Sequence, residues 1–442
     1  MVHEIIIEPF MHSEHVYDVI HAQLREGTFW CQLSSAFGDT PILPCLEVAI
    51  FRSTWSLRPI DTGVLRLLNP SIRELEITLP RASTDELRLF KVAFADYLPM
   101  PYLERLTLEA EDLTPLFDVQ SLPSPHHRLR YLKLDCGRPI ELGTPIDFNH
   151  LRHVTALPDL ENLAVCLHSW TPLDLSATPV TFPSLRSLEI SCYGFEVIGH
   201  LLAHVEFPRL HAFAVTETHE SRLSQKLPEY LHTLIAKFPS LTTFEWHSQQ
   251  EIQRGRGYVG KRRSDAPLAA LVAPLLSHRA LRHFSLSFRG PIVPHTPTDL
   301  RAMAEAWPDL ETFKLGDQVD EHYSCAEQYV DVESVLAFAR RCPRLRSFHV
   351  PMVHFDPWGS ESTVVGESAR RPPVLHWLRE LLVDEVAIPC SRNGSEQDKG
   401  RRCREAVVQF RTLMATVFRS AVIRTRSEVA TAMTVGAVVS DY

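Results

Sequence analysis

Phe182-Pro183-Ser184-Leu185-Arg186-Ser187-Leu188-Glu189-Ile190 is one copy of a phrase that recurs along the chain. Its form is apolar-Pro-x-Leu-x-x-Leu/Phe-x-apolar. Phe207–Val215, Phe238–Trp246, Trp307–Leu315 and Cys342–Val350 repeat it closely. In each copy the last two apolar positions are two apart. They therefore face one side of a strand, and the residue between them faces the other. Weaker copies are led by Leu46, Ile72, Leu103, Leu129, Leu160, Leu281 and Leu378. With Leu185, Leu210, Leu241, Leu310 and Leu345 they make an array of about 12 units, spaced 25 to 40 residues apart. A strand of this kind cannot bury its apolar side alone, so successive units stack and cover one another. The expected fold is α/β: an irregular leucine-rich-repeat solenoid, a horseshoe with a parallel concave sheet and helices on the convex side.

Between the strands the spacing predicts helices. Ser221–Lys237 carries Leu223, Leu227, Leu231, Leu234 and Ile235 at helical intervals. Thr298–Trp307 places Leu300, Met303 and Trp307 on one face, with Thr298 as its N-cap, and Ala266–Leu276 reads as a packed helix. The proline after each helix has no amide proton and disfavours helix in the residue before it. It ends one element and starts the next, so the 32 prolines are largely punctuation. The expected organisation is an N-terminal cap or remnant of an upstream module over 1–40, a solenoid over 41–386, a linker over 387–400, and a C-terminal helical cap and tail over 401–442. In that last part Val407, Phe410, Leu413, Met414, Val417 and Phe418 form the apolar helical face. Capping of the open end is the first reading of this helix, and a basic partner-binding helix the second. The apolar segment 429–439 has no account.

The 442-residue chain has a formal net charge of −9, with 45 Lys and Arg against 54 Asp and Glu. That balance offers no general attraction to nucleic acid or to acidic membranes. No apolar run approaches the roughly 20 residues of a membrane span, and the run near the N-terminus is too short for a signal peptide. Nine cysteines, an odd number without close pairs, read as reduced thiols in a cytoplasmic or nuclear protein.

Gly255-Arg256-Gly257-Tyr258-Val259-Gly260-Lys261-Arg262 satisfies G-x-G-x-x-G and nearly satisfies a phosphate-binding loop. Arg262 stands where that loop needs a hydroxyl for magnesium, and a polar stretch separates it from the preceding strand. The segment reads as a solvated basic insertion, and nucleotide binding remains the competing reading. Arg254, Arg256, Tyr258, Lys261, Arg262 and Arg263 make it a candidate local contact site. Among 22 histidines, His200 and His204 are four apart on a helix but lack the glutamate of a zinc-protease helix. His12, His15, His126 and His127 have no companion ligands. No metal site, no cofactor, no catalytic residue and no enzyme activity is expected.

Alternation leaves one row of side chains on the concave side. It runs through Arg105, Thr107 and Glu109, then Tyr131, Lys133 and Asp135, then Asn162, Ser187, Glu189 and Ser191. Thr216, Thr243, Glu245 and His247 continue it, followed by His283, Ser285 and Ser287, Thr312 and Lys314, and Ser347 and His349. Any such strand carries polar residues there. The mixture has no charge stripe, which suits a protein target better than a polyanion. The chain is expected to be a monomer.

Long uneven units with F-P-x-L-x-x-L/F-x-[LIVW] after a helix, and the early copy Leu65–Ile77, resemble the leucine-rich-repeat regions of fungal F-box-like proteins over roughly residues 40–385. That resemblance implies a substrate-recognition role: the repeats hold a target while an F-box docks the adaptor of a cullin-based ubiquitin ligase. No Leu-Pro-x-Glu helix start occurs in 1–40, where Val16–Leu24 reads as a single helix. An adaptor is expected as partner only if an F-box lies upstream. A free-standing repeat protein unrelated to ubiquitin stays open beside it.

Overall fold

The computed structural model describes residues 4–7, 36, 43–52, 68–79, 100–110, 128–135, 151–152, 154–167, 180–192, 195–217, 223–248, 266–288, 293, 295–317, 330–355, 377–387 and 396–425. Compactness divides the chain into two units, Met1–Leu210 and His211–Tyr442. The division falls inside the stretch 41–386 that periodicity alone joins into one body.

The first unit contains β1 (Glu4–Ile7), β2 (Val48–Arg52), β3 (Glu74–Leu79), β4 (Arg105–Ala110), β5 (Tyr131–Asp135), β6 (Asn162–Leu167), β7 (Val180–Thr181), β8 (Ser187–Cys192), α1 (Phe195–His204) and β9 (Val205–Glu206). Strands β1 to β6 and β8 pair in sequence order, all parallel. The short strands β7 and β9 form a separate parallel pair. The second unit contains β10 (Ala212–Glu217), α2 (Leu223–Lys237), β11 (Thr243–Ser248), α3 (Leu268–Leu271), α4 (Ala273–Leu276), β12 (His283–Phe288), α5 (Pro297–Ala306), β13 (Thr312–Asp317), β14 (Val330–Asp331), α6 (Val332–Arg341), β15 (Ser347–His354), β16 (Glu380–Ala387), α7 (Glu396–Val417) and β17 (Val422–Thr425). Here β10 to β13 and β15 to β17 pair in order, again parallel. This is a leucine-rich-repeat architecture.

The repeat register is the predicted one. All twelve leading Leu and Ile residues are at most 2 % exposed. In every one of those units a strand opens two residues further on. The reason lies in the proline phrase. The N–H of Leu241 donates to the carbonyl of Phe238 at 3.1 Å, Leu310 to Trp307 at 3.2 Å and Leu345 to Cys342 at 3.0 Å. Proline is thus the second residue of a four-residue turn, where its fixed φ is already correct. The turn buries the leading Leu and aims the chain into the strand.

The next residue stacks one unit on another. Its carbonyl accepts two successive backbone N–H groups from the following unit. Glu47 receives Arg73 and Glu74 at 2.8 and 3.0 Å, and Glu104 receives Arg130 and Tyr131 at 2.9 and 3.0 Å. In the second unit Thr242 receives Arg282 and His283 at 2.8 and 3.0 Å, and Glu311 receives Arg346 and Ser347 at 2.7 and 3.2 Å.

Apolar positions line up through this register. In the first unit Leu75, Leu106, Leu132, Leu163 and Leu188 form a buried leucine ladder. In the second, the same position is phenylalanine. Phe244, Phe284, Phe313 and Phe348 stack ring on ring at 6.1, 5.5 and 5.2 Å between centroids. Helices close over this ladder: Phe338 of α6 meets Phe313 at 4.8 Å, and Trp307, just after α5, meets Phe284 at 4.9 Å. The Trp307 indole N–H donates to the Leu275 carbonyl at 3.0 Å, so the one polar atom of this buried ring is satisfied.

Three local expectations need correction. The N-cap of α5 is Thr296, not Thr298. Thr296 and Asp299 form a capping box, and Pro297 takes the first helical position, where its missing N–H costs nothing. Ala266–Leu276 is not one helix but two four-residue turns, α3 and α4. Pro274 has no N–H to continue a ladder across Val272. At the C-terminal end, α7 begins at Glu396, inside the stretch read as a linker. It buries Ala406, Phe410, Met414 and Val417, while Val407 and Leu413 are only half-buried. Beyond it, β17 pairs with β16, an element the repeat phrase does not announce.

Because Phe313 touches rings on both neighbouring strands and on α6, Phe313→Ala is expected to cost about 3–5 kcal/mol. Lys314→Ala, one residue on and exposed, should stay within about 0.5 kcal/mol of wild type. Urea unfolding of the full chain followed by fluorescence would measure both, and equal losses would contradict the packing described.

Candidate protein-interaction surface

The strand positions that point away from the apolar ladder form three polar rows in each unit. In the first unit the opening row reads Val48, Glu74, Arg105, Tyr131, Asn162 and Ser187 across β2 to β8. The middle row reads Ile50, Glu76, Thr107, Lys133, Ala164 and Glu189. The last reads Arg52, Thr78, Glu109 and Asp135 across β2 to β5, and Cys166 and Ser191 across β6 and β8. Register therefore brings Arg105, Glu109, Tyr131, Lys133, Asp135 and Glu189 onto one face, as alternation predicts.

Charges on this face pair across strands. Arg52 Nε lies 2.7 Å from Glu76 Oε1, and Arg105 Nε lies 3.4 Å from Glu74 Oε1. The Arg105 guanidinium also covers the Tyr131 ring at 4.3 Å. Within β5, Lys133 Nζ lies 3.4 Å from Asp135 Oδ2. Burial works against the Lys133 ammonium, yet Asp135 and then Glu109 outweigh it and hold it above its ordinary range. Burial first, and Asp135 second, push the Glu109 carboxyl above the usual carboxylate range. Arg52, Glu74 and Glu76 are absent from the sequence-derived row, which starts only at Arg105, although Pro44 and Pro70 mark the two earlier strands in the same way. Their spacing from Leu46 and Ile72 was the available signal.

In the second unit the middle row is Ala214, Glu245, Ser285, Lys314, His349, Leu382 and Arg424. His283 flanks it in the opening row and His247 in the last. His247 Nε2 is 3.6 Å from Glu245 Oε2, and His283 Nδ1 is 3.2 Å from Thr312 Oγ1. His349 Nε2 is 3.2 Å from Asp384 Oδ1, a residue of β16 absent from the sequence-derived row. The hydrogen bond from His247 lowers the Glu245 carboxyl, burial opposes it, and Lys314 and His283 add to the lowering. Lys314 itself is exposed.

His200, His204, His211 and His278 make local contacts, and of these only His278 is buried. His278 Nε2 meets the Leu241 carbonyl, and His211 Nδ1 lies 3.0 Å from the Ser240 carbonyl. His200 and His204 stack ring to ring at 6.4 Å. Among the described residues no group of three or more His, Cys, Asp or Glu is placed to hold a metal ion, and no helix is long and apolar enough to cross a membrane. The basic stretch with Arg254, Arg256, Tyr258, Lys261, Arg262 and Arg263 lies outside the described residues. So do His12, His15, His126 and His127, Val16–Leu24 and segment 429–439.

No family model matches this chain, and no curated protein matches it either. Among solved structures it is similar to an internalin (inlF) from Listeria monocytogenes, at 10% sequence identity and a TM-score of 0.34. The match covers 79% of this chain and 77% of that one. The repeat fold is therefore read from the chain's own ladder.

A carboxyl held low by folding contributes stability above its unfolded range and loses it as pH falls through the lowered folded value. Glu245→Gln is therefore expected to melt below wild type near neutral pH, with the gap closing in acid. Thermal midpoints across that range decide it; a gap of constant size would contradict the His247 contact as its source.

Proposed function

We propose that this chain is a non-enzymatic protein-interaction scaffold whose polar strand rows hold a target protein. The observation that carries this reading is the register itself. Each parallel pairing sets side chains such as Arg105, Tyr131, Glu245 and Lys314 at fixed rungs, strand after strand. Within each unit such rows form a preorganised surface, and preorganisation lowers the entropic cost of association. Mixed charge with Tyr131 and three histidines suits a polypeptide target. The finer reading is the substrate-recognition part of an F-box-type cullin ubiquitin ligase receptor. It rests on the resemblance of the repeat phrase to fungal F-box-like proteins and on nothing else.

Proximity labelling in cells, with the protein tagged at its native locus so that any upstream segment is kept, and with Tyr131→Ala and Lys314→Glu variants, separates the two levels. A scaffold acting through these rows should lose specific targets in at least one variant while keeping wild-type abundance. Retention of every target by both variants would remove the rows from the binding function. Recovery of a cullin adaptor with wild type and variants alike is expected for a ligase receptor, and its absence from the wild-type set would end the ubiquitin part of the reading.

A further inference from the structure

On the first unit's polar face the cations are already committed. Arg52 holds Glu76, Arg105 holds Glu74, and Lys133 holds Asp135. Glu109 and Glu189 remain on the same rows, and neither makes an ion pair among the described residues. Glu109 is moreover the register partner of Asp135 on the adjoining strand. Like charges set directly opposite on paired strands destabilise a sheet. Lys133, whose ammonium lies against Asp135, relieves this only in part, and the Glu109 carboxyl stays above the usual carboxylate range. The groups facing Glu109 are thus Asp135 and Lys133 on β5, Glu76 on β3 and Arg52 on β2. Three cations oppose five carboxylates on β2 to β8: Glu74, Glu76, Glu109, Asp135 and Glu189.

Between the two uncommitted acids the surface is low. Strand β6 presents Ala164 and Cys166 on the polar rows, where its neighbours present Lys133, Asp135 and Glu189. Both of these small residues are buried. From Glu109, in the last row of β4, to Glu189, in the middle row of β8, is three strand spacings across and two residues along, roughly 16 Å. An extended chain spans about 13 Å between residues four apart that point the same way, and the long, flexible Lys or Arg side chains reach across the remaining few ångströms.

We infer that this face docks a basic segment of a partner protein, an extended stretch with Lys or Arg residues four apart, one cation at the Glu109–Asp135 rung and the other at Glu189. The inference rests on the scaffold reading above and names the partner's chemistry. Charge complementarity selects this occupant: a cation at the rung offsets a repulsion that the fold leaves standing, whereas an acidic segment would add to it. The unfavourable rung is also the expected mark of a surface kept for binding at some cost in stability.

The test uses the full chain at low ionic strength, where exposed charges are least screened. Two fluorescein-labelled, serine-rich decapeptides serve as probes, one with two Lys four residues apart and one with Glu at those positions. Anisotropy should show the Lys peptide binding at least about tenfold tighter than the Glu peptide. Glu109→Gln should weaken it at least about fivefold, and Glu229→Gln, on the exposed side of α2, should leave it unchanged. Acidification through the raised Glu109 range should weaken binding as the carboxyl gains its proton. Because ionised Glu109 is disfavoured in the folded chain, Glu109→Gln should also raise the thermal midpoint near neutral pH, and less so in acid. A variant more stable yet weaker in binding cannot be explained by misfolding. Lys-peptide binding unchanged in Glu109→Gln would overturn the proposal, as would no binding of that peptide. Preference for the Glu peptide overturns the basic partner but leaves a binding scaffold standing. If neither peptide binds, the scaffold reading is decided by the labelling experiment, which assumes no charge on the target.

Discussion

One constraint underlies the rest of this structure: the carbonyl after each leading leucine must meet two successive N–H groups of the next unit. Parallel strands without a connecting hairpin have no local turn to set their register. Here the doubled hydrogen bond sets it, at Glu47, Glu104, Thr242 and Glu311 among others. It works only if every unit enters its strand at the same height. The four-residue turn with proline second supplies that height, and the buried leucine holds it. Units of 25 to 40 residues can then vary in the length and content of their loops without disturbing the ladder.

Two kinds of side chain share this frame and respond to it differently. Apolar residues gain from stacking, whether as the leucine ladder of the first unit or the stacked phenylalanines of the second. Polar residues on the opposite side are brought just as close, and for them proximity cuts both ways. Arg52 with Glu76, and His349 with Asp384, meet favourable partners. Glu109 meets Asp135. Backbone pairing forces this contact regardless of charge, because a one-residue slip to avoid it would turn the whole apolar set of the strand to solvent. The polar face can therefore carry unfavourable neighbours that a free surface would separate.

Much of the fold was legible because leucine, proline and the two-residue alternation are local signals. All twelve leading positions and the strand that follows each one could be read off directly. Misses fell where the deciding partner is distant or where two local rules compete. Thr298 and Thr296 both resemble helix caps, and the choice turned on which one lets Pro297 sit at the first helical position and lets Asp299 reach back. Asp299 also accepts from the Ala269 N–H at 3.2 Å, a contact across 30 residues that no window reveals. Strand β17 has no leading phrase; it exists because β16 leaves an edge to be paired and α7 returns the chain to it. Of the candidate surface, the identity of the outward residues was legible but their partnerships were not. Glu74, Glu76 and Asp384 emerged only as neighbours of residues already named.

The sequence alone determined the unit: where each turn closes, where each strand starts, which side chains face inward, and that the strands stack in order. Those properties follow from backbone stereochemistry and from hydrophobic alternation within about ten residues. The tertiary structure decided which outward side chains become neighbours. It paired Arg105 with Glu74 and Tyr131, closed His349 against Asp384, and set Glu109 opposite Asp135. Such contacts join residues one repeat apart, at separations that vary with each loop. Their electrostatics depend on register and burial, which only the assembled ladder supplies.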